Sequence, residues 1–218
     1  MSVRSVPGTA SIASPDGGKL FAPSAARNKD ALCDLLEQVA PTQGHALEIA
    51  SGTGQHIVEY ATRLPDLIWQ PTEVDAVRRN SIDAYVNEAE LNNVQPAKEL
   101  DATAPGWGSL RAGLDLIVLS NLLHLISVDE VKILLTEAAT ALSTGGRMVI
   151  YGPFLRDGAL TSESDAAFHA SLSSHDPEIG YKDVAHVKDW LNEARLLPLE
   201  PVEMPANNLC LISEKSLA

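Results

Sequence analysis

Three acids, two glycines and an asparagine–histidine pair stand where a nucleoside-bearing ligand could be held. Glu48 interrupts a short apolar run, residues 46–50, which Ser51, Gly52, Thr53 and Gly54 follow. A helical pattern then runs through Gln55, His56, Ile57, Val58, Tyr60 and Ala61. A strand that ends in a glycine turn and leads into a helix leaves backbone N–H groups at a helix N-terminus. It also lets a ligand approach the main chain closely, past Ala50, Ser51, Gly52 and Gly54. Glu73 lies 19 residues beyond Gly54, at the end of the next candidate strand. An acid at about that distance is where such folds take ribose hydroxyls, through two parallel hydrogen bonds to one carboxylate. Asp101, with Ala102 beside it, ends a third candidate strand and would accept from an adenine amino group. Asn121 follows a fourth, with His124 on the rim just beyond. Open α/β sheets bind ligands outside the carboxyl ends of their strands, so these positions converge.

Several chemistries are excluded by what is missing. G-x-G without a third glycine is a poor dinucleotide fingerprint, which argues against NAD, and no G-x-x-x-x-G-K-[ST] loop exists. No G-x-S-x-G elbow marks a hydrolase, and the six histidines show no metal-binding spacing, so no metal is expected. Cys33 and Cys210 stand far apart and match no zinc site; two buried thiols in a reducing, cytoplasmic compartment are expected. A net charge of −13 supplies no basic excess for nucleic acid or an anionic membrane. The apolar runs are too short to span a bilayer, and residues 1–20 lack a secretory core. His56 opens a helix, where positive charge is disfavoured; it should be neutral, and structural or near the ligand. His124 either packs or touches substrate. A homodimer is allowed and not dictated.

The elements that must position these groups follow in order. Residues 1–24, rich in Ser, Ala, Gly and Pro, read as a mobile arm or lid, ahead of one domain over 25–218. Helices are expected at 29–40, 54–64, 76–92, 128–142 and 183–196, with a weak helical patch at 162–172. Strands are expected at 45–50, 67–73, 97–101, 114–120, 147–151, 199–204 and 209–214. Alternation at βαβ spacing over 45–151 implies a mostly parallel sheet covered on both faces, closed by an antiparallel C-terminal strand. With aromatics at only 5%, their concentration after the fifth strand marks Tyr151, Phe154, Phe168 and Tyr181 as candidate pocket walls. An aromatic face can hold a sulfonium, although ordinary packing explains each ring equally well.

The string Glu48-Ile-Ala-Ser-Gly-Thr-Gly54 resembles the first motif of class I S-adenosylmethionine (SAM) methyltransferases, [DE]-x-G-x-G-x-G, with Ala50 in place of the first glycine. The wider chain resembles the methyltransferase-like protein 26 family. The matching strings are Arg27-Asn-Lys-Asp30, Leu47 to His56, Trp69-Gln-Pro-Thr72, Tyr151-Gly-Pro-Phe154, Asp176-Pro-Glu-Ile-Gly180 and Met204-Pro-Ala-Asn-Asn208. They run from about residue 21 to the C-terminus. Two departures stand out: Ile179 replaces a tryptophan of that family, and the segment before Phe21 has no counterpart. The resemblance implies a seven-stranded Rossmann-like class I methyltransferase fold, SAM as cofactor, and Arg27, Asn28, Tyr151, Asn207 and Asn208 as site residues. Arg27 suits the carboxylate of SAM's methionine part, and Phe21 or Tyr151 could shield the sulfonium.

Methyl transfer to a small-molecule acceptor is the leading reading. It is an in-line displacement that depends mainly on positioning, which fits a site with no evident triad; Asn121, Tyr151 and His124 are the candidate catalytic groups. Two rivals stay open. A closed pocket could let SAM's own amino group attack intramolecularly, releasing methylthioadenosine, or the protein could bind SAM without turnover.

Overall fold

In the computed structural model, residues 18–216 are described; of the expected N-terminal arm, residues 1–17 lie outside them. The sheet has seven strands: β1 (Gly44–Ile49), β2 (Leu67–Pro71), β3 (Leu114–Ser120), β4 (Leu142–Gly152), β5 (Leu196–Pro198), β6 (Val202–Glu203) and β7 (Leu209–Lys215). The order is β2-β1-β3-β4-β7-β5, with β6 also on β7. β2, β1, β3 and β4 pair in parallel, and β7 is antiparallel to β4, β5 and β6. Only β7 therefore opposes the common direction, as anticipated for a closing C-terminal strand.

Side-chain alternation splits the core into two layers. Leu47 and Ile49 of β1, Ile117 and Leu119 of β3, and Met148 and Ile150 of β4 face α5 (Val128–Ala141) and α7 (Val184–Glu193), through Val131, Leu134, Val187 and Leu191. The opposite parity, Ala46, Leu116, Val118 and Val149, faces α1 (Pro23–Val39), α2 (Gln55–Arg63) and α3 (Ala76–Glu88) through Leu32, Leu36, Ile57, Tyr60 and Ile82. A short α4 (Trp107–Leu110) lies on the α5 side, and α6 (Glu163–His175) falls between β4 and α7. Ser127 caps α5 in a reciprocal capping box with Glu130.

Several boundaries depart from the sequence reading: β2 ends at Pro71, two residues short of Glu73, α3 at Glu88 and α7 at Glu193, and four differences are larger. α1 begins at Pro23, two turns earlier than its apolar repeat suggests, because proline is preorganised for the first helical position. Pro23 and Ser24 thus leave the arm for the helix. The strand expected at 97–101 does not form; the chain at 93–98 lies along the β2 edge, where its backbone pairing is limited to isolated bridges of Val94 with Trp69 and of Lys98 with Thr72. Pro96, between them, has no N–H to continue a ladder. The strand expected at 199–204 is instead two short strands, β5 and β6, on either side of Pro201. β4 starts at Leu142, with a register shift against β3 where Gly145 takes φ 77°.

Candidate functional site

The turn after β1 is held in a left-handed backbone. Ala50, Gly52 and Gly54 take φ of 53°, 61° and 96°. Gly54 is packed shut: a Cβ there would lie 2.7 Å from Ile82 Cα. At Gly52 a Cβ would meet nothing nearer than the Ala50 carbonyl at 4.0 Å, so that side of the turn is open to a ligand. Ser51 sews the ends of β1 and β2 together, its N–H donating to Thr72 O (2.9 Å) and its hydroxyl accepting from Thr72 N (3.2 Å). That bond brings Glu73 to the turn. The Gly52 N–H donates to Glu73 Oε2 at 3.1 Å, and Val74 N–H donates to Oε1 at 2.9 Å. Oε1 accepts a second bond from Asp75 N–H at 3.3 Å and Arg78 Nη1 stands 3.8 Å from Oε2, so the lone-pair capacity that remains is on Oε2. Gln55 accepts from Ala22 N–H at 2.6 Å and from the Thr53 hydroxyl at 3.0 Å, which docks the strand of chain around Phe21 on the N-terminus of α2. Phe21 itself is exposed there.

Under the turn lies a buried polar seam between the sheet and α1–α2. Glu48 is 2% exposed with Oε2 unpartnered, and the hydroxyls of Tyr60 and Ser120 are likewise buried without a hydrogen bond of good geometry. Burial pushes the Glu48 carboxyl up to about 8, with the Ser51 hydrogen bond opposing and Glu73 adding to the rise. His56 is buried, stacks on Tyr60 with ring centroids 5.6 Å apart, and donates from Nε2 to Asn28 Oδ1 at 2.7 Å. Burial, helped by the Lys29 charge, holds His56 down at about 4, so it is neutral as anticipated. Asn28 in turn lies beside Tyr151. Burial raises the Tyr151 phenol, against the lowering effect of Asn28, Asn208 and Arg27. Arg27, Asn28, His56, Tyr151 and Asn208 are therefore brought together from four separate segments.

The far wall is built around His124. Asn121, at φ 57°, donates its N–H to Tyr151 O at 2.8 Å, which fixes the chain leaving β3 against the end of β4. His124 is 6% exposed with Nδ1 unpartnered; burial and the nearby Lys182 ammonium lower it to about 3. Its ring meets Phe168 at 5.8 Å and Tyr181 at 6.0 Å, edge to face. Tyr181 donates its hydroxyl to Asp165 Oδ1, and Asn207 donates to Asp165 Oδ2. An open groove of about 670 Å³ lies on the outer side of this wall, between α6, α7 and the chain at 177–183. Tyr181 lines it, whereas Gly52, Glu73 and Asn121 do not.

Three candidates stand apart. Asp101 Oδ1 accepts from Thr103, by its N–H at 3.0 Å and its hydroxyl at 2.6 Å. Ala102 is buried with its carbonyl taken by Trp107 Nε1. Phe154, 2% exposed, packs into the α5–α7 layer of the core and does not line the 670 Å³ groove. Conversely, sequence reasoning missed Tyr60, Ser120, Asp165 and Lys182. The last is a buried ammonium that donates to Ile126 O and Gly180 O. Only Asp165 carried a signal, as the third residue after the capping Ser162. Among the described residues no cluster of His, Cys, Asp and Glu could hold a metal, and no helix is long and apolar enough to cross a membrane.

The open flank of Gly52 and the Glu73 carboxylate against it fit a ligand that carries a diol, as SAM does. Solved structures share the architecture. An O-methyltransferase family protein from Burkholderia thailandensis superposes with a TM-score of 0.76 at 16% identity, over 88% of this chain and 57% of that one. An O-methyltransferase assigned from Nostoc punctiforme gives 0.77 at 17%, over 88% and 57%. A methyltransferase of calicheamicin biosynthesis, in its S-adenosylhomocysteine-bound form, gives 0.70 at 15%, over 88% and 54%. This chain spans little more than half of each, and at such identities the likeness is one of fold: the class I methyltransferase fold. At the level of family, residues 19–215 match the one described as "Protein of unknown function (DUF938)", and the chain belongs to it.

Proposed function

We propose that the protein is a SAM-dependent methyltransferase acting on a small-molecule acceptor, and that its likeness to the methyltransferase-like protein 26 family extends to this use of SAM. The observation that carries the reading is the Glu73 carboxylate drawn to the Gly52 N–H at 3.1 Å, beside a turn with one open flank. SAM supplies an electrophilic methyl group on a sulfonium; the residues bind and orient. Glu73 takes the ribose hydroxyls, with Asp101 available to an adenine amino group. Arg27 and Tyr151 take the carboxylate at the other end, Asn28 and His56 holding Tyr151 in place, and Ala50, Ser51, Gly52 and Gly54 frame the middle. Asn121 and Tyr151 line the path of the transferred group. His124, neutral and with a free Nδ1, accepts a hydrogen bond from the acceptor hydroxyl. Its low basicity makes it an orienting acceptor that takes the proton only as the methyl leaves. Phe168 and Tyr181 wall the acceptor side, and Phe21, Asn207 and Asn208 stand at the rim.

Calorimetric titration with S-adenosylhomocysteine and with NAD tests the cofactor assignment. Saturable binding of the first and none of the second is expected; comparable NAD binding would overturn it.

A further inference from the structure

We propose that α6 is a hinged cover over His124 and that Asp165 is its latch. Asp165 is thereby a positioning residue for the acceptor side of the site, a consequence that rests on the methyl-transfer reading; the cover itself does not.

The helix is weakly anchored by apolar contact. Of its 13 residues only Leu172 is buried, in a small cluster with Ile179 and Tyr181 that is separate from both main layers of the core. Phe168 lays an edge on His124 and on Tyr181, at 5.8 and 6.1 Å. Polar bonds supplement this. At the C-terminal half of the helix, His169 Nδ1 accepts from Tyr181 N–H at 3.0 Å and the Ser173 hydroxyl donates to Ile179 O at 3.2 Å. The N-terminal half is held at one carboxylate. Asp165 Oδ2 accepts from Thr161 (2.8 Å), Ser162 (2.6 Å) and Asn207 (3.2 Å), while Oδ1 accepts from Tyr181 (3.1 Å). The Thr161 and Ser162 bonds are local to the helix start. Those from Asn207 and Tyr181 cross to the β6–β7 loop and to the chain just beyond the cover, so one side chain holds the helix start to both.

The segment also has hinges and room. Asp157 and Gly158 before the helix take φ of 53° and 76°, with nothing within 4 Å of a Cβ at Gly158. Gly180 after it takes 135°, packs against His169 and Ser173 and donates its N–H to His124 O at 3.0 Å, so it is the fixed end of the swing. His169 and Ser173, on the flank of α6 away from Phe168, line the 670 Å³ groove, which leaves space for the helix to swing into. Swinging α6 away lifts Phe168 off His124, whose Nδ1 is buried without a partner in the closed form, while Tyr181, beyond the Gly180 hinge, stays with the body of the domain. A buried, unsatisfied ring nitrogen under a lightly held helix is the arrangement expected of a site that opens.

Hydrogen–deuterium exchange of the full chain, read by peptide, tests this without any ligand. In the wild type, peptides of 163–175 should exchange faster than those of α5 and α7. Asp165→Ala should speed 163–175 by about tenfold or more, the factor for 1.4 kcal/mol of lost bonding, and leave α5, α7 and β3 unchanged. Asp165→Asn, which keeps an acceptor for Tyr181, should fall between, and Ser162→Ala should affect only the first turn. Carbethoxylation of His124 by diethyl pyrocarbonate should rise in step with α6 exchange. Exchange of α6 as slow as α5, a uniform rise across the protein in Asp165→Ala, or faster α6 exchange with unchanged His124 labelling would each overturn the proposal. Because no readout uses SAM, a failure here is distinguishable from a failure of the methyl-transfer reading.

Discussion

The Asn28 carbonyl oxygen and His56 Nε2 lie 2.7 Å apart, and this bond ties the first turns of α1 to the start of α2 beneath the glycine turn. Asn28→Ala would leave a buried N–H unsatisfied, and a loss of about 1–3 kcal/mol is expected. The same change frees Tyr151 on one side, so S-adenosylhomocysteine affinity should fall as well. Chemical denaturation beside calorimetry reads both; a loss of stability at unchanged affinity would make the pair purely structural.

Two buried histidines set the acid limb of the stability curve. His56 is held at about 4 and His124 at about 3, both below the ordinary 6.5, chiefly by burial. The unfolded chain therefore binds more protons below 6.5, and stability is present above that pH and lost as pH falls towards 4 and 3. His56→Gln should flatten part of this limb, by up to about 3 kcal/mol at pH 4. Denaturant midpoints at a series of pH values check it, and a limb of unchanged slope in the variant would contradict it.

Glu48 works in the opposite sense. Burial raises its carboxyl from 4.5 to about 8, so the folded protein holds a proton that the unfolded chain releases. Its stability is full below 4.5 and declines as pH rises to 8. Glu48→Gln keeps the shape without the charge, and its midpoint should stay level from pH 5 to 9 where the wild type falls. A parallel fall in both proteins would place the proton elsewhere.

The two glycines of the turn should respond differently. Gly54→Ala drives a Cβ to 2.7 Å from Ile82 Cα at a positive φ, and a cost above about 2 kcal/mol is expected, with loss of ligand binding. Gly52→Ala has open space, so about 1 kcal/mol of backbone strain is expected while the new methyl obstructs the ligand. Melting curves and calorimetry on both variants separate these effects; equal destabilisation would show that Gly52 is packed.

Much of this was legible in the sequence because it rested on local pattern. The apolar runs at 45–50 and 114–120 became β1 and β3 within a residue, and Glu73, singled out by its distance from Gly54 and its place after a candidate strand, lies against the glycine turn. What was not legible depends on contacts remote in sequence. The 97–101 run reads as a strand until Pro96 is placed on the edge of β2. Phe154 reads as a pocket wall until its facing partners on α5 and α7 are known. Asp165 reads as a helix-capping acid, since nothing in its neighbourhood announces Asn207, 42 positions away. The polar seam was half seen: Glu48 and His56 belong to the motif, but Tyr60 and Ser120 look like ordinary core positions.

Glu73 is the residue whose removal bears most on the cofactor. Glu73→Ala should weaken S-adenosylhomocysteine binding by about 1.5–3 kcal/mol, the range for hydrogen bonds to a charged acceptor. Asp75, which caps α3 through Val77 and Arg78, should keep the helix in place. An unchanged dissociation constant in a folded variant would move the ribose contact elsewhere, with Asp75 the first suspect.

The most direct test is mass spectrometry of SAM incubated with the protein, with and without a pool of small metabolites as acceptors. Methyl transfer predicts S-adenosylhomocysteine together with a product heavier by one methyl group, formed only when the acceptor pool is present. Methylthioadenosine formed without any acceptor, or SAM recovered unchanged under all conditions, would contradict it.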